Sequence, residues 1–330
     1  MEKVLKIGII GCGAIGKDHC RRIIETVPGA TVVAVSDYVA AAADDTAAKY
    51  GIKSYGNDCD GMIKDPEVEA VVITSIDPTH HDYVMKTLAE EKWCFCEKPL
   101  SQNAADCEDI IKREQEIGKR LVQVGFMRHY DRGYAEMKRI IDSGEIGKPL
   151  LIKCCHRNVA QGPGFKTENG VTNVAIHELD ICRWLLGENL NEVAVRFPRA
   201  TCFAEGTCQD PQLVLMQSDS GVLIDVEVSG NSYYGYEILC ELVCEKGTIR
   251  LPVAAEPIVR SYLQCGQAIP EDWTNRFVVA YQEELQYWVD YLQGKTDVPG
   301  PGAEDGYEAC KISDALIKAQ TTGQWEKVEA

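Results

Sequence analysis

Six residues near the start of the chain, Gly11-Cys12-Gly13-Ala14-Ile15-Gly16, place three glycines where a bound dinucleotide needs them. The first permits a tight turn, the second lets the backbone approach a pyrophosphate, and the third lets a helix pack closely on the preceding strand. The pyrophosphate would sit at the helix N-terminus, where unpaired N–H groups and the helix dipole favour an anion. A glycine-rich turn alone also serves purely structural ends. Here the apolar run Val4–Ile10 precedes it, a helical pattern follows, and a second apolar run ends in Ser36-Asp37. Asp37 follows Gly16 at close to the ~20-residue offset at which an acid meets the adenine ribose. Its carboxylate can accept from both ribose hydroxyls and would repel a 2′-phosphate, and the next residue is Tyr38, not Arg. NAD is therefore the expected cofactor, ahead of NADP; Asp37 as a simple turn residue is the competing reading.

A hydride leaves an alcohol carbon only if the hydroxyl proton departs too, so such a site needs a base within hydrogen-bond reach. Cys96-Glu97-Lys98-Pro99 follows a strand pattern, and strand ends at the carboxyl edge of a parallel sheet face the cofactor crevice. Proline biases Lys98 to an extended backbone that would aim its side chain there. Without further context, a Lys-Pro after a strand is more often just a turn.

The elements that must position these residues fall into two blocks. Up to about residue 125, strand patterns at Val4–Ile10, Thr31–Ser36, Ala70–Thr74, Trp93–Cys96 and Leu121–Val124 alternate with helical patterns from Ala14 to Val27, Val39 to Tyr50, His80 to Glu90 and Ala104 to Ile117. That alternation predicts a doubly wound parallel sheet, an α/β Rossmann domain over residues 1–125. Beyond Phe126 come a helix from Tyr134 to Ser143, strand Leu150–Arg157, and a helix from about Val174 to Leu186. The strands Glu192–Phe197, Leu213–Gln217, Val222–Val228, Glu237–Cys244 and Thr248–Leu251 follow, and helices Phe277–Leu292 and Ala303–Ala319 close the chain. Strands grouped apart from helices predict an α+β domain over 126–330 on one mostly antiparallel open sheet.

The Gly11–Gly16 unit followed by Glu97-Lys98-Pro99 resembles the Gfo/Idh/MocA family of glucose-fructose oxidoreductases and inositol dehydrogenases. Gly125-Phe126-Met127-Arg128-His129-Tyr130-Asp131-Arg132-Gly133-Tyr134, Cys155-His156-Arg157-Asn158, and Ile176-His177-Glu178-Leu179-Asp180 with Arg183-Trp184-Leu185 are similar to its inositol 2-dehydrogenase branch. The resemblance implies NAD-dependent oxidation of a ring hydroxyl of a cyclic polyol or sugar. It implies that Lys98 and His177 hold the reacting hydroxyl and share the acid–base work, and that Glu97 helps fix the nicotinamide ribose. Met127, Arg128, His156, Asn158, Asn173 and Tyr236 would line the polyol pocket. Gly11, Gly13, Ala14, Ile15, Gly16, Asp37, Tyr38, Thr74, Ser75, His80, Glu97 and Lys98 make up the expected cofactor-binding set, with no metal. Spacing agrees: residues 154, 156 and 158 would share one strand face, and Asn173 and His177 one helix face at i, i+4. Each histidine also has a plainer reading, as a core-edge residue or as one polar tooth of a half-exposed strand. His177-Glu178 begins like a zinc-protease HExxH, but position 181 is Ile and that motif fails.

The chain departs from the inositol dehydrogenase pattern four residues before His177, where Asn173-Val174 stands in place of Asp and, usually, Thr. An amide can hydrogen-bond a substrate hydroxyl but carries no charge and donates as well as accepts. The substrate is therefore open among inositol isomers, other sugars and glycosides. A redox-neutral enzyme that keeps NAD bound, and a non-catalytic NAD-binding sensor, are the alternatives; retention of Lys98 and His177 in full context counts against the sensor.

A net charge of −17 argues against nucleic acid or an anionic membrane as partner. No apolar run approaches the ~18 residues of a membrane span, and the N-terminal residues show no secretory signal. Fifteen cysteines without a CxxC pair read as small buried hydrophobes in a reducing cytoplasm. The strand-rich second domain has more sheet than one pocket requires, and the family packs that face against another subunit, so a homodimer or homotetramer is expected.

Overall fold

The computed structural model describes residues 4–252 and 257–329. The chain packs as two compact units, one of residues 1–126 and 281–310, the other of 127–280 and the chain from 311 onward.

In the first unit the order is β1 (Leu5–Ile10), α1 (Ala14–Glu25), β2 (Ala30–Ser36), α2 (Ala40–Tyr50), β3 (Lys53–Ser54), α3 (Cys59–Lys64), β4 (Ala70–Ile73), α4 (His80–Ala89), β5 (Trp93–Glu97), α5 (Ala104–Ile117) and β6 (Val122–Gly125). The six strands form one parallel sheet in the order β3-β2-β1-β4-β5-β6. This is the expected doubly wound sheet, with strand order reversing between β1 and β4, where such sheets take their ligands. Strands buried on both faces read as unbroken apolar runs, and Ala70-Val71-Val72-Ile73 is buried throughout. The ends are locally written: Asn103 accepts from the Asp106 N–H to start α5, and Gly118 at φ 73° stops it. Two-residue β3 and six-residue α3 were not foreseen.

The sequence assigned everything from residue 126 onward to a second domain, but residues 281–310 return to the first unit. The reason is a stripe on the helix Val278–Leu292. Leu285, Trp288 and Val289 join Ile7, Ile9, Val35, Val72 and Phe95 in one core, with the Trp288 ring 5.5 Å from that of Phe95. Their i, i+3, i+4 spacing is one helix face.

The second unit contains α6 (Arg132–Ser143), β7 (Pro149–Arg157), α7 (Ile176–Leu186), β8 (Leu190–Arg196), β9 (Gln212–Ser218), β10 (Leu223–Ser229), β11 (Glu237–Cys244) and β12 (Gly247–Arg250). An exposed hairpin, β13 (Ile258–Ser261) and β14 (Gln264–Gln267), and the short α8 (Trp273–Arg276) follow. The chain ends through α9 (Val278–Leu292), α10 (Ala303–Thr322) and β15 (Glu326–Lys327). Its large sheet runs β12-β11-β7-β10-β9-β8-β15. Only β7 and β10 pair in parallel; the other pairs are antiparallel. One face is apolar and buried, carrying Ile152, Cys154, Val214, Met216, Val226, Cys240 and Leu242. Among the described residues no helix is long and apolar enough to cross a membrane. Every cysteine is a free thiol, and all but Cys202 and Cys265 are buried.

Candidate active site

The nucleotide half is built on the carboxyl edge of the parallel sheet. Gly11 sits at φ 99°, and a Cβ there would lie 2.6 Å from the Ser75 nitrogen; at Gly16 it would lie 1.9 Å from the Gly11 oxygen. Neither position admits another residue without moving backbone. A Cβ on Gly13 would meet nothing within 4 Å, so the loop is open at that point. No side chain caps α1 and its first turn holds no acid, which leaves its N–H groups for an anion such as a pyrophosphate. Ala14 is exposed and Ile15 half-buried beside this opening.

Asp37 is fastened by two backbone donors: Cys12 N–H to Oδ2 at 2.6 Å and Val39 N–H to Oδ1 at 2.8 Å. The acid at the end of β2 is thus held against the glycine loop, while Tyr38 projects into solvent at 91% exposure. Thr74 is buried with its hydroxyl 2.8 Å from the Gly11 carbonyl and 3.0 Å from that of Ile10, which makes it a brace of the loop. The Ser75 hydroxyl meets that of Thr79 at 2.7 Å. His80, 1% exposed, lies with Nδ1 2.7 Å from the Pro99 carbonyl and Nε2 3.0 Å from that of Ser75. Set between these two carbonyls, His80 ties the turn after β5 to the residues that follow β4. Lys98 is half-buried in that turn, its peptide to Pro99 cis. Beside it Glu97 is buried, and its Oε1 meets His19 Nε2 at 2.7 Å.

In the other unit a separate cluster is gathered from three elements. A 3₁₀ turn, Met127–Tyr130, delivers Arg128 and leads into Asp131, which caps α6 and pairs with Arg276 at 2.6 Å. Strand β7 delivers His156 and the first turn of α7 delivers His177 and Glu178. Arg128, Glu178 and His156 are 1%, 0% and 4% exposed. The Arg128 guanidinium pairs with Glu178 Oε1 and lies over the rings of Tyr134 and Phe277. His156 Nδ1 is 3.0 Å from Glu178 Oε2 and 3.3 Å from Arg128 Nη2. The closer, anionic acceptor favours the proton on Nδ1, which turns Nε2 into an acceptor. The His156 ring stands edge-on to Tyr236 at 5.8 Å and 6.0 Å from the ring of His177.

Burial works to raise the Glu178 pKa, but the Arg128 charge and then His156 outweigh it and hold the carboxyl below its ordinary range. Burial pushes the Tyr236 phenol up, so it remains a neutral hydroxyl. Met127 is buried at 1%. Asn158 is half-buried just past the end of β7, its N–H on the Ser229 carbonyl at 2.9 Å.

Two local expectations change. Cys154 and His156 do lie on the buried side of β7, but the strand stops at Arg157, so residue 158 belongs to the following loop. Asn173 is not on the α-helix of His177: Gly170–Val174 is a π turn, closed by the Ala175 N–H on the Gly170 carbonyl at 2.9 Å, and α7 starts at Ile176. The extra residue in that turn breaks the i, i+4 relation, and single π turns recur at functional sites. Glu178 was missed as a site residue, although Ile176, Leu179, Ile181 and Leu185 around it signal a buried helix, where a carboxylate demands a partner. His19 was missed too; it follows Gly16 by three on the buried face of α1.

Residues 5–126 match the oxidoreductase family with an NAD-binding Rossmann fold, GFO_IDH_MocA, and residues 134–250 match the GFO/IDH/MocA C-terminal domain. The chain is 45% identical over 327 residues to an inositol 2-dehydrogenase of Ralstonia nicotianae, covering 98% of this chain and 96% of the relative. It is 46% identical to one of Salmonella paratyphi B, covering 98% and 97%. Among solved structures it superposes on myo-inositol dehydrogenase of Lactobacillus casei, crystallised with NAD(H) and myo-inositol, at a TM-score of 0.95 and 33% identity over 99% of this chain and 97% of that one.

Proposed function

Since the chain belongs to the GFO/IDH/MocA oxidoreductase family, we propose that it oxidises one ring hydroxyl of a cyclic polyol to a ketone with NAD, an inositol being the substrate of first choice. NAD, when bound, supplies the hydride acceptor. The side chains have the proton and the ring to manage. The uncapped start of α1 and Asp37 take the pyrophosphate and the adenine ribose; Glu97 serves the nicotinamide side. His177 is assigned as the base that removes the hydroxyl proton and Lys98 as the second group on that hydroxyl. Arg128, His156 and Tyr236 hold further ring hydroxyls, with Met127, Asn158 and Asn173 around them. Asn173, an amide where the family pattern has a carboxylate, is where the choice among isomers is expected to be read.

The observation that carries this reading is the buried Arg128–Glu178–His156 cluster with Tyr236 and His177 against it. Buried charges and hydroxyls cost stability unless satisfied, and this set presents fixed donors and acceptors, which a ring bearing many hydroxyls requires. The test is NADH absorbance on mixing the protein with NAD and a panel of inositol isomers, hexoses and glycosides. NADH should form fastest with an inositol, and Ala at Lys98 or His177 should lower kcat by roughly 10²–10⁴-fold. Preference for a hexose or glycoside would remove the inositol assignment, and no NADH from any of them would remove the oxidation.

The open face of the large sheet interleaves half-buried Leu151, Leu213, Leu215 and Leu239 with Asp225 and Glu227. A second copy of the chain on that face, giving a dimer or tetramer, and a cytoplasmic location suited to its free thiols complete the proposal.

A further inference from the structure

We propose that His19 is a positioning residue for the cofactor, acting through Glu97. The inference rests on the NAD reading above but not on which polyol is oxidised.

His19 lies on the face of α1 that also buries Gly16, Cys20 and Ile23, and is 0% exposed. Its Nε2 meets Glu97 Oε1 at 2.7 Å. The rest of the ring is set among aromatics, edge-on to Phe95 at 5.8 Å and tilted against Tyr281 at 5.8 Å. Nδ1 is buried and has no hydrogen-bond partner. A proton on Nδ1 would be a stranded, buried N–H. Nε2 is therefore the nitrogen that donates, to the carboxylate.

Glu97 is confined on its other side as well. A Cβ on Gly125 would lie 3.0 Å from Oε2, so a side chain at this place in β6 would press on the carboxylate. The backbone N–H of Lys98 reaches toward Oε2 at 3.3 Å. Glu97 is the last residue of β5, on the far side of the strand-order reversal from Asp37 at the end of β2. A dinucleotide laid across that reversal places its adenosine by β2 and its other nucleoside by β4 and β5. His19 sits less than two turns from the start of α1, the end assigned to the pyrophosphate. One helix thus fixes the phosphates with its N-terminus and, with a side chain, the acceptor for the second nucleoside.

The test is an NADH fluorescence titration of the purified protein without polyol. His19→Phe keeps an aromatic ring and removes the donor; it should weaken NADH binding roughly tenfold or more. His19→Gln, which can still donate, should recover most of that loss. In turnover the KM for NAD should rise while kcat at saturating NAD changes little. Equal losses in the Phe and Gln variants, or wild-type affinity in the Phe variant, would overturn the proposal. If the Phe variant does not fold, His19→Ala, Glu97→Gln and the pair H19A/E97Q decide it. The pair should bind no more weakly than E97Q alone, whereas additive losses would show that His19 does not act through Glu97. Wild-type protein that binds NADH but oxidises no polyol would remove the substrate reading and leave this one standing; no NADH binding at all would remove both.

Discussion

Glu178 has two partners and no exposure, which makes its removal a sharp probe of the substrate half. Glu178→Gln leaves Arg128 charged, buried and without a counter-charge, so a loss of ~3–5 kcal/mol is expected in a denaturant melt. The pH dependence distinguishes this from simple repacking. The folded carboxyl titrates below its ordinary value of 4.5, so between the two values the unfolded chain binds a proton that the native chain does not. Stability rises with pH across that window, is complete above about pH 4.5 and is lost as pH falls through the folded value. Melts of the Gln variant should lack that acid limb; an unchanged limb would assign it to other carboxylates. The residues singled out from the sequence, Gly11–Gly16, Asp37, Lys98 and His177, stand in short motifs or at a set spacing from one. Glu178 and His19 owe their meaning to partners 22 and 78 positions away, which no local pattern contains.

At the scale of elements, the glycine turn joins β1 to α1 by contact too close for any side chain. Gly16→Ala would set a Cβ 1.9 Å from the Gly11 oxygen, forcing helix and strand apart. Stability should fall by ~1–3 kcal/mol, and NADH binding, read by fluorescence, should be lost; Gly13→Ala, pointing into open space, should fold normally. A Gly16 variant that folds and binds like wild type would disprove the close approach. Elements with a strong period or a capping signal were readable: α5 has its expected bounds, and β11 does too. Those without one were not. Strand β3 and helix α3 are too short for a period to register, and the β13–β14 hairpin exposes every residue, so burial imposes no alternation on it. The π turn before α7 keeps helical composition while shifting the register by a residue, and composition alone does not reveal that.

For the whole molecule, the copy number is the open quantity the sheet face bears on. Light scattering should report a dimer or tetramer, and a charge placed on that face, as in Leu215→Lys, should lower it without unfolding the chain; a wild-type monomer would refute the pairing. Domain order along the sequence was only half readable, because a linear boundary at 126 is the simplest division and gives no hint that residues 281–310 rejoin the first unit. That return has a bearing on how the chain is made. Trp288 completes a core whose other members include Ile7, Ile9 and Val35, and a ribosome adding ~5–20 residues per second reaches it roughly ten to thirty seconds after residue 126. The half that emerges first therefore does not mature first: it waits with an uncovered apolar sheet until residues 281–310 have been translated.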